Sequence, residues 1–267
     1  MPASELSREA DRERLAATMR DAGAIAMTFF RGTFKSWTKG TGDSPVSEAD
    51  IAVNDLLRAR LPEIGDGWLS EESENDPTRL HAARVWVVDP IDGTRAYIAG
   101  RVDWSISVAL VEAGRPVVAA VFVPVADELF LATLGGGATL NDAPIAVSGG
   151  ASLDGARVAG PKRLLDKMSG RHPLLVPMPR VHSLALRLVR VAQASLDGAI
   201  AGGQASDWDL AAADLLVHEA GGLMTALDGR PLLYNRPESK HDVLVAAGRE
   251  RHAALIDLMQ AQANEPA

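Results

Sequence analysis

Three observations in the sequence predict an α/β fold, with an α+β N-terminal lobe followed by an α/β C-terminal lobe. Two helix-period stretches precede Pro62, β-rich segments separated by short turns fill 104–133, and strand-like and helix-like segments alternate from about Ser148. At 267 residues the chain exceeds one average domain, so one large unit and two closely joined lobes both fit. Small residues and glycines gather at Ser148–Ser152, and the boundary is drawn there, giving lobes 1–148 and 149–267.

The first helix is expected to be capped by Ser7 and to run to about Phe30. Leu15, Met19, Ala22, Ala26 and Phe29 recur on one face, and Gly32 stops it. A loop rich in Gly and Ser covers Lys39–Ser44. Val46–Leu61 reads as a second helix, with Ile51, Leu56 and Leu57 inward and Pro62 ending it. Short strands follow at Gly67–Leu69 and Val85–Val88. Trp104–Val111, Val117–Val123 and Leu129–Thr133, joined through Glu112–Arg115 and Pro124–Asp127, read as an antiparallel meander. Gly135–Gly137 is read as a hairpin turn, since no nucleotide-loop lysine follows it, and Asn141-Asp142 marks another turn. Beyond the boundary, strands are expected near Val158 and Leu174 and at Ala199–Ile200, Leu223–Ala226 and Val243–Ala246. Helices are expected near Leu164 and over Ser183–Gln193, Leu210–Ala220 and Glu250–Met259.

Hydrophobic content of 47%, charged content of 23% and a mean hydropathy of +0.02 suit a globular protein with a real core. A net charge of −8 and a pI near 5.3, with no basic cluster to offset them, argue against a nucleic-acid polymer as partner. A clustered acidic site would instead attract cations, and these could recruit an anionic substrate. The absence of cysteine removes disulfides, thiolate nucleophiles and cysteine-ligated zinc, and fits a reducing cytoplasm. Met1–Arg20 lacks the apolar stretch of a secretory signal, and no apolar run approaches the roughly 20 residues of a membrane helix. A cytoplasmic protein without membrane insertion is therefore expected. The histidines show no His-x-x-x-His spacing, and there is no Gly-x-Ser-x-Gly elbow.

The chemistry concentrates in acids at the ends of apolar runs. Val85–Val88 leads into Asp89-Pro90-Ile91-Asp92-Gly93-Thr94, so a buried strand delivers carboxylates to an edge, where hard cations need several oxygens held in place. The Asp92-Gly93 turn can gather Asp89, the Ile91 carbonyl and Asp92 around one volume and leave the Gly93 and Thr94 amides for an anion. A plain Asp-Gly turn is the alternative. Glu71 and Glu72 close another apolar segment; one of them facing inward would need a cation or basic partner, whereas a solvated acidic loop would need neither. Asp209 opens the segment Leu210–Ala220, where Asp207 or Asp209 could equally be a helix cap. Histidine 218, in the same segment, reads as packed or surface rather than ligating.

Together, Trp86–Thr94, Trp208–Ala213 continuing to Glu219-Ala220-Gly221-Gly222, the Glu71-Glu72 pair and Ser47-Glu48-Ala49-Asp50 resemble the inositol monophosphatase family of magnesium-dependent phosphatases. The resemblance runs from the first helix to the last and implies a layered α-β-α-β-α sandwich. It implies two or three Mg2+ ions: Glu71, Asp89 and the Ile91 carbonyl holding one, Asp89, Asp92 and Asp209 a second, and Glu71 a third, weaker position. Asp50 and Thr94 would orient and deprotonate the attacking water, with Glu71 helping. The substrate would be a small phosphorylated metabolite bound by Gly93, Thr94 and Asp209, and the assembly a homodimer. Lys39 stands where the family often has a lysine in a mobile loop near the metal; an exposed loop lysine is the alternative.

Substrate choice is less constrained. Inositol-selective relatives commonly carry a glutamate shortly before the second motif, where this chain has Gly202-Gly203-Gln204-Ala205-Ser206. Leu69–Glu72 and Ser44–Asp50 look more like the bacterial 3'(2'),5'-bisphosphate nucleotidases, which act on 3'-phosphoadenosine 5'-phosphate. That substrate is placed first, ahead of histidinol phosphate and inositol monophosphate. Gly160, Lys162, His182 and Ser183, at the starts of two C-terminal-lobe helices, would then face the leaving group or a second phosphate. A non-catalytic regulatory protein that kept the fold is the competing class.

Overall fold

The computed structural model describes residues 3–39 and 44–263, and the centre of the expected Lys39–Ser44 loop, 40–43, lies outside them. Helices α1 (Ala3–Phe29) and α2 (Glu48–Arg60) pack together on one face of a seven-stranded sheet. Between them, β1 (Ser36–Lys39) and β2 (Ser44–Ser47) form an antiparallel pair. The large sheet runs in chain order: β3 (Gly67–Ser70), β4 (Arg84–Asp92), β5 (Ser105–Glu112), β6 (Arg115–Val123), β7 (Glu128–Thr133), β8 (Gly137–Leu140) and β9 (Ala143–Pro144). All neighbours pair antiparallel except β3 and β4. A short helix α3 (Thr94–Ile98) follows β4 directly.

The second sheet has five strands in the order β11 (Val176–Pro177), β10 (Arg157–Ala159), β12 (Gly198–Ala201), β16 (Leu244–Gly248) and β14 (Gly222–Ala226). Strands β13 (Ala205–Ser206) and β15 (Lys240–His241) pair separately. Helices α5 (Leu184–Ala192) and α6 (Asp207–Glu219) lie between the two sheets, and α4 (Lys162–Arg171) and α7 (Arg249–Ala263) cover the far side of the smaller one.

Period-2 alternation decides this stacking. In β12, Ala199 and Ala201 face the α5–α6 layer, whereas Ile200 faces Leu165, Met168 and Leu255 of the outer helices. In β4, Val85 and Val87 join the same middle layer, while Trp86 and Val88 pack with Leu15, Met19, Val53 and Leu57 of α1 and α2. With both faces of each sheet covered, strands read as nearly unbroken apolar runs. The result is the expected five-layer α-β-α-β-α sandwich. The last strand of the large sheet and the first of the smaller one flank Ser148–Ser152, although one apolar cluster, holding both Val87 and Ala199, spans the middle layer.

Several element expectations need correction. Helix α1 begins at Ala3, so Ser7 lies inside it and caps nothing. Val46 pairs with Trp37 in the β1–β2 ladder, and α2 starts two residues later, behind Ser47. Its buried stripe is Ala49, Val53 and Leu57, with Ile51 and Leu56 only half-buried. Leu174 is exposed, and the edge strand forms at Val176–Pro177. Gly135–Gly137 does turn β7 into β8; the Glu219 carboxylate accepts the Gly135 and Gly137 amides at 2.8 Å each. Histidine 218 pairs with the buried Asp214 at 2.8 Å.

Candidate active site

Asp92 lies three positions after Asp89, a spacing that in a regular strand sends side chains to opposite faces. A bulge removes that conflict: Asp89 pairs with Ser107 and Asp92 with Ser105, so two residues of β4 oppose one of β5. Pro90 fits there because a bulge releases the amide that proline lacks. The Asp89 carboxylate accepts the Ile91 amide at 3.1 Å, which fixes the turn locally. Beside it, the parallel register Ser70↔Val88 and the Glu71 amide bond to the Val88 carbonyl set Glu71 just past the end of β3, next to Asp89.

Three helix starts then converge. Asp92 accepts the Ser183 hydroxyl at 2.6 Å and the Leu184 and Ala185 amides at 3.1 and 2.6 Å, all at the N-terminus of α5. Asp209 is the N3 residue of α6 and accepts the Ser206 amide at 2.6 Å; Asp50 is the N3 residue of α2 and accepts the Ser47 amide at 2.8 Å. Each is the returning half of a capping box, which leaves the second carboxylate oxygen for other work. Both readings of Asp209, cap and ligand, are thus compatible. Asp207 is fully buried and pairs with His241 at 2.7 Å. The partial positive charge of these helix ends offsets part of the acidic repulsion.

One oxygen each from Asp89, Asp92 and Asp209 lies within 4.8 Å of the others, the spacing of a metal cage. Glu71 stands outside this trio but close enough to raise Asp89 and Asp209 by repulsion. Burial is the larger cause throughout: it pushes Glu71 up to about 7, Asp209 to about 8, and Asp89 and Asp92 upward as well. Acids this crowded and this dry fit divalent cations, which would restore their charged form.

A pH dependence follows from these shifts. Carboxyls with folded pKa values above their unfolded values near 4 hold protons preferentially in the folded state, so their contribution is full below about pH 4 and lost as pH rises through about 7 to 8. In EDTA, the melting temperature is expected to fall between pH 5 and 8. Adding Mg2+ at pH 8 should raise it and flatten the slope. Thermal melts across pH that are indifferent to Mg2+ would contradict cation binding by these acids.

The Thr94 hydroxyl lies 3.1 Å from Asp50 Oδ1 and 2.9 Å from the Ile91 carbonyl, linking α2, the bulge and α3. Gly93 caps α3 with φ 94; a Cβ there would sit 3.2 Å from the Ser183 amide, so a larger residue would push α5 off Asp92. The Gly93 and Thr94 amides belong to this same turn. Lys39 is not a free loop lysine: its Nζ binds the Glu72 carboxylate at 2.5 Å and the Glu71 carbonyl at 2.8 Å, so Glu72 points inward with a basic partner.

The four leaving-group candidates separate. Gly160 and Lys162 line a cavity of about 570 Å³, where Lys162 is exposed and paired with Asp166 at 2.7 Å. Histidine 182 is tied to Asp103 through its amide and its ring Nδ1. Ser183, expected to face a leaving group, is fully buried, and its hydroxyl is spent on Asp92. The sequence reading missed Arg187 and Arg180 in that cavity wall; no motif marks them, and only the fold brings them beside Gly160.

A layered α/β fold that converges on buried carboxylates at a strand edge can hold divalent cations, and the family match makes the protein a phosphoric monoester hydrolase. The inositol monophosphatase family model matches residues 9–263, and the chain belongs to that family. It is 36% identical over 203 residues to an inositol-1-monophosphatase of Rhizobium meliloti, covering 72% of this chain and 75% of the relative. It is 33% identical over 214 residues to a 3'-phosphoadenosine 5'-phosphate phosphatase of Mycobacterium leprae, covering 74% of each. Among solved structures, the extragenic suppressor protein suhB of Bartonella henselae superposes with a TM-score of 0.79 at 26% identity, over 93% of this chain and 97% of that one. Among the described residues no helix is long and apolar enough to cross a membrane.

Proposed function

We propose that the protein is a Mg2+-dependent hydrolase of 3'(2'),5'-bisphosphate nucleotides such as 3'-phosphoadenosine 5'-phosphate. The observation that carries the hydrolase reading is the trio Asp89, Asp92 and Asp209, with donor oxygens within 4.8 Å, beside the Thr94–Asp50 contact. Glu71, Asp89 and the Ile91 carbonyl would hold one ion, Asp89, Asp92 and Asp209 another, and Glu71 a third. Bound there, divalent cations supply charge neutralisation for the phosphoryl oxygens and the leaving alkoxide, and lower the pKa of a bound water.

The chain's own residues do the rest. Thr94, with its proton directed at Asp50, offers oxygen lone pairs to orient the attacking water, and Asp50, whose pKa burial raises, takes up the proton. Water oxygen bonds to phosphorus, the bond to the ester oxygen breaks, and the departing alkoxide takes its proton from a solvent water. The Gly93 and Thr94 amides face the phosphate at the start of α3. No covalent nucleophile is needed, in keeping with a chain without cysteine.

For the substrate, support comes from the Leu69–Glu72 and Ser44–Asp50 spellings, from the stretch Gly202-Gly203-Gln204-Ala205-Ser206 in place of a polyol-binding glutamate, and from the Mycobacterium leprae relative. In a phosphate-release panel, the bisphosphate nucleotide is expected to exceed inositol 1-phosphate and histidinol phosphate in kcat/KM by at least about tenfold, the effect of one good polar contact. Equal turnover of all three would reject the nucleotide; release from none would reject the hydrolase.

A further inference from the structure

Two buried charged residues stand apart from the acid cluster. Arg79 is 2% exposed, and Asp207 is fully buried. Arg79 spends its guanidinium on neutral acceptors: Nε on Asn75 Oδ1 at 2.8 Å, Nη1 on Asn235 Oδ1 at 2.5 Å and Nη2 on the Arg236 carbonyl at 3.2 Å. Asp207 accepts the Asn235 main-chain amide at 2.7 Å and lies 2.7 Å from His241 Nε2. Asn235 thus bridges the two charges, with its side chain on one and its amide on the other. The charge of Asp207 supports the cationic form of Arg79 across this bridge. A φ of 55 places Asn235 in the left-handed region, which asparagine tolerates better than most residues.

The ends of the bridge lie beside acids from different lobes. Asn75 follows Glu71 by four positions, and Arg79 packs closely on β3, an edge strand of the large sheet; a Cβ on Gly67 would lie 3.1 Å from Arg79 Cβ. Asp207 is the first residue of α6, two before Asp209, and its amide donates to the Ser239 carbonyl at 2.9 Å. Lys240 Nζ reaches the Ser206 hydroxyl at 2.7 Å, so β15 grips the start of α6 at both Ser206 and Asp207. An apolar group of similar volume often serves stability as well as a buried charge pair, so this network points to a demand for one geometry.

We infer that Arg79 and Asp207, joined through Asn235, are positioning residues that set the spacing of Glu71 and Asp209 and so couple the two cation positions those acids serve. The inference rests on the hydrolase reading above. Neither residue is a ligand in that reading; each acts through an acid on its own segment, Glu71 just past β3 and Asp209 in the first turn of α6.

The test uses the full chain carrying Asp207→Asn, Asn235→Gly, Arg79→Met, or Arg79→Met with Asp207→Asn. Asn235→Gly is the mildest, since glycine adopts the same φ and only the bridging side chain is lost; it decides the matter if a charge variant fails to fold. Mg2+ binding is read by calorimetry, well below each variant's melting temperature in EDTA. Each single variant is expected to weaken it by about 10- to 100-fold, the effect of losing a partner that orients a metal ligand, and to raise the Mg2+ concentration for half-maximal phosphate release by a similar factor. The double variant should lose no more than about twofold beyond the worse single one, because both changes act through one bridge. A purely structural role would lower the melting temperature and leave the Mg2+ affinity of the folded protein unmoved. Affinity within about twofold of wild type in Asn235→Gly or in folded Asp207→Asn, or losses that multiply in the double variant, overturns the inference. A wild type that binds no Mg2+ overturns both the inference and the hydrolase reading. A wild type that binds Mg2+, with the variants shifted as expected, but releases phosphate from no ester in the panel rejects the hydrolase reading and leaves the spacing role standing.

Discussion

Asp92→Asn is expected to lower Mg2+-dependent phosphate release by about a thousandfold or more, while the protein stays folded. The carboxylate is the point where the trio of acids meets the start of α5, through Ser183, Leu184 and Ala185. An amide is nearly isosteric, so the bulge and packing survive. The substitution removes the charge that a cation needs, a loss of several kcal/mol of transition-state stabilisation, and each 1.36 kcal/mol is tenfold in rate. Its NH2 group would also point donors at the donors of α5. Phosphate release as a function of Mg2+ concentration, with circular dichroism as a fold check, decides the matter. Turnover within tenfold of wild type would refute the role assigned to Asp92.

Asp50→Asn is the second large effect. Asp50 Oδ2 accepts the Ser47 amide and hydroxyl at 2.8 and 2.6 Å, and Oδ1 faces Thr94. Asparagine can keep one acceptor for the cap, so stability should fall by no more than about 1 kcal/mol, as for a weakened helix cap. Proton acceptance by this residue disappears, and kcat should drop by about 10²- to 10⁴-fold, the usual contribution of a positioned general base. Mg2+ affinity, read from the Mg2+ dependence of the melting temperature, should change little. A variant that lost Mg2+ affinity as well as kcat would move Asp50 from proton transfer to cation binding.

The acid positions were legible in the sequence because Glu71, Asp89 and Asp92 follow apolar runs and Asp209 opens one, and the β-rich middle followed from period-2 runs and turn residues. What local pattern hid was everything set by partners far along the chain. Val46 looked helical, yet pairing with Trp37 draws it into a strand, and only then does Ser47 become the cap of α2. Ser7 had the chemistry of a cap, but the helix begins at Ala3, so propensity at that position decided nothing. Ser183 had the look of a ligand-facing hydroxyl, whereas the approach of α5 to Gly93 encloses it against Asp92. Arg180 and Arg187 belong to no motif, since their shared surroundings arise from the packing of α5 against the smaller sheet.

Asp50 and Asp209 occupy the same place in two unrelated helices, each three residues after a serine whose amide it accepts. Foldability and reactivity are therefore written into the same letters. Anyone transplanting this centre onto a foreign scaffold would have to move each Ser-x-x-Asp turn with its helix, because an isolated aspartate would arrive without the scaffolding that aims it. Alanine scanning would mislead here for the same reason, blending two losses that only isosteric replacements can pull apart.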